Sequence, residues 1–245
     1  MKNRNFFDLV TDPSVFVYKI LNLVKLFYDL YTTKQINEKM DPVFKKPKLW
    51  QRLSFLKKSI QGPIRFLRLA MKPGIKNRYL FVGTGSRTVE IDGVLYDQYN
   101  ANIINHTGKD KFIILQNKLE NKIGYYAPDI LLEDYALLLR VLSLSISIFW
   151  KKSINKFASR LAVSYPELGS ELYIYEKMLR FLSVYYFYRF FISFFRPKGI
   201  FVICHYSQHP LIAASKSKKI KTVELMHGHI MKNHPFYNND HFHPK

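Results

Sequence analysis

The sequence predicts an α/β fold, with a parallel sheet and a large helical content. Three observations carry that expectation. Ile200–Cys204 is a five-residue apolar run, the mark of a strand buried on both faces. Lys221–Leu225 is a second short run, and Pro210–Lys219 between them reads as a helix with Leu211, Ile212 and Ala214 on one side. Strand, short helix, strand in so few residues is a parallel βαβ unit, because parallel strands need a crossover between them.

The remaining elements follow in chain order. Val17, Ile20, Leu21, Val24, Phe27, Tyr28 and Tyr31 recur at three- and four-residue spacing and predict an amphipathic helix, started at Asp12-Pro13-Ser14. A second helix is expected over Leu49–Ile60, broken by Gly62-Pro63, with Ile64–Met71 beyond it. Tyr79–Val82 reads as a short strand and Gly83–Ser86 as a tight loop. Glu90–Leu95 around Asp92-Gly93 is a hairpin signal. Lys111–Leu115 is another short strand, and Asp129–Lys156 has a long helical pattern. Ser170-Glu171 opens a helix that runs to Phe195 and stops at Arg196–Gly199. Texture and charge divide the chain into a basic amphipathic helical region, residues 1–72, and an α/β domain, residues 73–245.

Composition narrows the function classes. The 245 residues are 48% hydrophobic and 16% aromatic, which is ample for a packed core and argues against disorder. One cysteine, Cys204, excludes a disulfide framework and any multi-cysteine metal cage. Lys and Arg outnumber Asp and Glu by 38 to 18, a net charge of +20. Residues 1–72 hold 15 Lys/Arg and five Asp/Glu. So basic a chain is drawn to polyanions: anionic lipid, nucleic acid or phosphorylated substrates. The apolar stretch Val15–Tyr31 is cut by Lys19, Lys25 and Asp29 with no small-residue cleavage site after it, so no signal peptide is expected. Tyr135–Trp150 is shorter than the roughly 20 residues a membrane span needs.

Seven of the eight histidines lie after residue 204. If the two strands of the βαβ unit pair, His205-Tyr206-Ser207-Gln208-His209 and Met226-His227-Gly228-His229 both fall at carboxyl ends, where open α/β sheets bind ligands. One reading is acid–base chemistry. A neutral imidazole takes a proton from a hydroxyl near neutral pH. His227 follows a buried strand and precedes Gly228, whose missing side chain lets a substrate approach. Glu224 can orient neighbouring groups or simply pair with a lysine. A second reading is a metal site at His227-x-His229 and His241-x-His243, but only Asp240 joins those pairs at short spacing, and no metal is expected. In a third, the histidines line polar loops and cap helices.

The segment Glu224-Leu-Met-His227-Gly228-His229, followed by His234-Pro235-Phe236-Tyr237, resembles the Glu-Leu-Gln-His-Gly and His-Pro-x-Tyr signature of bacterial surface-polysaccharide glycosyltransferases. The preceding strand with its His205-Tyr206-Ser207 loop is similar to that family's approach to the motif. The upstream residues Arg87, Asp92-Gly93, Tyr96-Asp97 and Tyr99 also resemble one of its segments. The likeness covers roughly residues 79–245. It implies a GT-B architecture of two Rossmann-like domains facing a cleft, this chain supplying the N-terminal, acceptor-side domain. By the same resemblance His227 would be the catalytic base or donor-phosphate contact. Arg87, His205, Tyr206, Ser207, Glu224, Gly228, His229, His234 and Tyr237 would line the substrate cleft.

Two departures stand out. Met226 occupies the position where the family has Gln. The chain also stops just past the motif, so the sequence is expected to lack the donor domain, and its activity as an enzyme is left open. The implied partners are a glycan or lipid-linked glycan acceptor and a nucleotide-sugar donor, held as a substrate rather than a cofactor and bound through the missing domain. An anionic membrane surface would be a peripheral partner, at the inner face of the cytoplasmic membrane. No nucleic acid is expected, since no helix-turn-helix, zinc-finger or RNA-binding aromatic signature is present. A non-catalytic membrane-peripheral remnant and a basic nucleic-acid-binding protein remain the alternatives.

Overall fold

The computed structural model describes residues 49–83, 88–91, 94–116, 128–166, 169–203 and 208–225. The helix expected around Val17–Tyr31 lies outside them. In chain order the elements are α1 (Leu49–Ala70), β1 (Tyr79–Gly83), β2 (Thr88–Ile91), β3 (Val94–Asp97), α2 (Gln98–Thr107), β4 (Phe112–Gln116), β5 (Ile130–Leu131), α3 (Ala136–Ser164), α4 (Glu171–Phe195), β6 (Ile200–Val202), α5 (His209–Ser217) and β7 (Thr222–Glu224).

Five strands form one sheet in the order β5-β4-β1-β6-β7, and every pairing in it is parallel. Numbered by its own strands, the sheet runs 3-2-1-4-5. This is the doubly wound order of a Rossmann-like fold, with the switch point between β1 and β6. β2 and β3 form a separate antiparallel hairpin in which Ile91 faces Val94, as Asp92-Gly93 predicts.

The two faces of the sheet are covered differently. Leu80 and Val82 of β1, Ile113 and Leu115 of β4, and Ile200 and Val202 of β6 enter the main core. There they meet α3, α4, α5 and Leu69 of α1. Phe81, Phe112, Ile114 and Ile203 face the other way, onto Ile104 of α2. Alternation along each strand produces this division, since successive side chains point to opposite faces.

Helix ends obey local chemistry. The Ser170 hydroxyl accepts a hydrogen bond from the Tyr173 amide, 3.3 Å away, and caps α4. Arg196 closes that helix in the left-handed region, at φ 47°. On β7, Thr222 stands 2.8 Å from Ser215 of α5. Ser215 already donates to the Ile212 carbonyl, so Thr222 is the donor across the βα contact.

Two expectations are corrected. Gly62-Pro63 does not break a helix: α1 is continuous from Leu49 to Ala70 with Pro63 inside it. The glycine serves a close approach instead. A Cβ on Gly62 would lie 2.6 Å from the Asp134 carbonyl oxygen, and the buried Tyr135 hydroxyl donates to the Gly62 carbonyl at 2.8 Å. Tertiary docking overrides the breaker signal. Nor does a helix begin at Asp129. Ile130–Leu131 pairs with Leu115–Gln116 as an edge strand, a 3-10 turn spans Leu132–Tyr135, and α3 runs on to Ser164. Asp129 is held by the sheet, its carboxylate accepting from the Ile114 amide at 3.0 Å.

Candidate functional site

Parallel strands deliver their loops to one edge, so the carboxyl edge of the sheet is where a site is built. Register sets that edge residue by residue. Gly83 pairs with Gln116, and Gln116 with Leu131. Val202 pairs with Val82 on one side and with Glu224 on the other. The chain therefore leaves three adjacent strands at this edge, β1 after Gly83, β6 after Val202 and β7 after Glu224.

Asp97 and Gln116 are buried polar side chains that meet at this end, and Gln208 and His209 are buried where α5 begins after β6. Asp97 is 2% exposed and Gln116 1%, so both need internal partners. One Asp97 oxygen accepts from the Tyr99 amide at 3.1 Å and caps α2. The other faces Gly83. A Cβ placed on Gly83 would stand 3.3 Å from Asp97 Oδ2 and 3.2 Å from Gln116 Nε2. A glycine is therefore what lets a carboxylate and an amide meet the end of the central strand. Together they place a carboxylate and an amide, groups that can accept and donate hydrogen bonds, beside the end of the central strand. His209 begins α5, with Pro210 in its first turn, and Leu211 and Ala214 anchor the helix in the core.

Of the residues singled out by sequence, Glu224 is described. It is half-buried on β7, in register with Val202. Val202 faces the main core, so Glu224 lies on the α5 side of the sheet. Gly83, Gln116 and Asp97 lie on the α2 side, and the sheet separates the two sets. Arg87, His205, Tyr206, Ser207, His227, Gly228, His229, His234 and Tyr237 lie outside the described residues, as do Asp92-Gly93, Cys204, His241 and His243. The strands that lead to these loops pair as expected, β6 beside β7.

Gln116 was not a sequence candidate, and Asp97 entered only as part of a longer resemblance. A signal for each exists. Gln116 ends an otherwise apolar strand, and Asp97 sits between a strand and a helix, at an N-cap position. Among the described residues no group of three or more His, Cys, Asp or Glu side chains could hold a metal ion. No helix among them is long and apolar enough to cross a membrane.

No protein-family model matches the chain, and no curated protein or solved structure is significantly similar to it.

Proposed function

We propose that the chain is the acceptor-side domain of a glycosyltransferase in bacterial surface-polysaccharide biosynthesis. It would work peripherally at the inner membrane face on a glycan or lipid-linked glycan. His227 would serve as the base or donor-phosphate contact. Glycosyl transfer also needs a half that binds the nucleotide sugar and stabilises its leaving diphosphate.

One observation carries the reading. The segments with Arg87, with His205-Tyr206-Ser207 and with His227-Gly228-His229 all follow the carboxyl ends of adjacent strands β1, β6 and β7. The switch point lies between the first two, where doubly wound sheets take their ligands. Asp97 and Gln116 then act as positioning residues beneath the site rather than as reacting groups.

The test is His227→Ala in the complete enzyme, assayed with a panel of labelled nucleotide sugars and membrane glycolipid as acceptor. Transfer should be abolished while circular dichroism and the melting temperature stay as in the parent. Transfer near the parent rate overturns the assignment.

A further inference from the structure

We propose that exposed apolar stripes on α1 and α3 form a docking surface for an anionic lipid bilayer. The inference deepens the peripheral-membrane part of the reading above and rests on that part alone.

The stripes share one spacing. Along α1 and at the residue just past its end, Ile60, Ile64, Leu67 and Met71 are 63%, 41%, 60% and 74% exposed. On α3, Leu137, Val141, Leu144 and Ile148 are 43%, 51%, 65% and 74% exposed. Each set falls at i, i+4, i+7 and i+11, one line along a helix. A surface helix normally turns one such line inward. These two have an inward side as well: Gly62 and Leu69 on α1, and Ile146, Ile154 and Phe157 on α3. Among the described residues the outward line is therefore a second apolar face, left largely exposed. Exposed apolar residues lined up in this way mark an interaction site.

The helices that carry the stripes meet at one junction. Tyr135, immediately before α3, bonds to Gly62 of α1 and packs its ring 4.8 Å from that of Phe187 on α4. Phe190 of α4, 58% exposed, stacks on Phe66 of α1 at 5.7 Å and adds apolar surface there.

Charge identifies the occupant. Residues 49–83 contain eight Lys/Arg and no Asp or Glu, and α3 contains five and none. At 3.6 residues per turn, Lys57 and Arg68 run along one edge of the α1 stripe, and Lys151 and Lys152 continue the α3 stripe beyond Ile148. A second copy of the chain would bring two acid-free basic faces together, against like-charge repulsion. The segment 1–48, with nine Lys/Arg to five Asp/Glu, is also a like-charged cover. Nucleic acid would use the cations but leave the aliphatic stripes wet. An anionic bilayer satisfies both, taking the aliphatics at the acyl boundary and the cations among its headgroups.

Cosedimentation of the full chain with vesicles tests this, and needs neither sugar nor nucleotide, so docking and transfer can fail separately. The chain should bind phosphatidylcholine vesicles that contain phosphatidylglycerol and leave pure phosphatidylcholine vesicles in solution. Leu144→Gln with Ile148→Gln should weaken binding about a hundredfold. Lys151→Gln with Lys152→Gln should weaken it about thirtyfold. Leu172→Gln, at an exposed position on α4 away from the stripes, should leave it unchanged. All these sites are exposed, and circular dichroism confirms that each variant folds. Equal binding to both vesicle types overturns the proposal, as does full binding by the Leu144/Ile148 variant. Binding to a random oligonucleotide with none to either vesicle overturns it in favour of nucleic acid.

Discussion

Tyr135 donates its phenolic hydrogen to the backbone carbonyl of Gly62, 2.8 Å away and 73 positions earlier in the chain. This bond fastens α1 to the turn that launches α3. Beside it, Arg65 reaches the nearly inaccessible carboxylate of Asp134 at 3.1 Å. The α1 helix is thus held by a close backbone approach, a buried hydrogen bond and an ion pair within four residues.

Gly62→Ala should destabilise the fold by about 1–3 kcal/mol, because the new methyl would press on the Asp134 carbonyl. The same substitution in an open helix stabilises by about 1 kcal/mol, so the sign of the change is decisive. Tyr135→Phe should cost about 1 kcal/mol by removing a buried hydrogen bond. Urea titration of both variants measures these changes, and a more stable Gly62→Ala protein would refute the close approach.

Arg65→Met takes the guanidinium away from the Asp134 carboxylate, which is 2% exposed. A loss of about 2–4 kcal/mol is expected, somewhat under the range for a fully buried pair because Arg65 is partly solvated. Adding Asp134→Asn to Arg65→Met should recover part of that loss, since the buried group then carries no charge. A double-mutant cycle checks this; simple additivity would mean that the two groups do not interact.

Asp97→Ala removes the cap of α2 and should cost about 1 kcal/mol, whereas Asp97→Asn keeps the capping oxygen and should be close to neutral. Gly83→Ala should be mildly destabilising, the methyl crowding Asp97 and Gln116 at 3.3 and 3.2 Å. Chemical denaturation ranks the three; equal losses for the Ala and Asn variants at Asp97 would show that its charge, and not its cap, matters.

Alkaline solution should weaken the fold. Burial raises the pKa of Tyr188, and burial together with the neighbouring Asp134 carboxylate raises that of Tyr135, Arg65 opposing it. Both phenols stay protonated in the folded state where the unfolded chain, at its ordinary value of 10.0, begins to ionise. Stability is therefore fully present below pH 10 and falls as pH rises beyond it. Each tyrosine adds up to about 1.4 kcal/mol per pH unit to that fall. Guanidinium melts across pH 9–11 follow the fall. The slope should lessen in Tyr188→Phe, and an unchanged slope would remove Tyr188 from the account.

Much of the fold is legible in the sequence because its strands are short apolar runs and its helices are punctuated. Ser170, Arg196 and the Asp92-Gly93 pair act locally, so they mark the ends of α4 and the β2–β3 turn without help from the rest of the chain. Gly62-Pro63 misleads for the opposite reason. What holds α1 together there is Asp134 and Tyr135, some 70 positions on, and no local pattern reports that. Ile130–Leu131 misleads in the same way, since two residues become a strand only through β4. The candidate site divides similarly. The strand ends that carry its loops follow from apolar runs, but the convergence of Asp97 and Gln116 on Gly83 depends on register between β1 and β4 and on where the hairpin returns. Single-position patterns do not carry such convergence.

The strand order has a consequence for the moment of synthesis. β1, β4 and β5 can assemble once residue 131 has emerged, but Leu80 must wait for Ile200, 120 positions later, before its other edge is filled. Closing so long a loop carries an entropic penalty that local contacts do not, and such non-local pairings slow folding. Until α4 and β6 arrive, the nascent chain holds the central strand with one side open. Translation rate through α3 and α4, and chaperones that shield that edge on the ribosome, thus become determinants of yield.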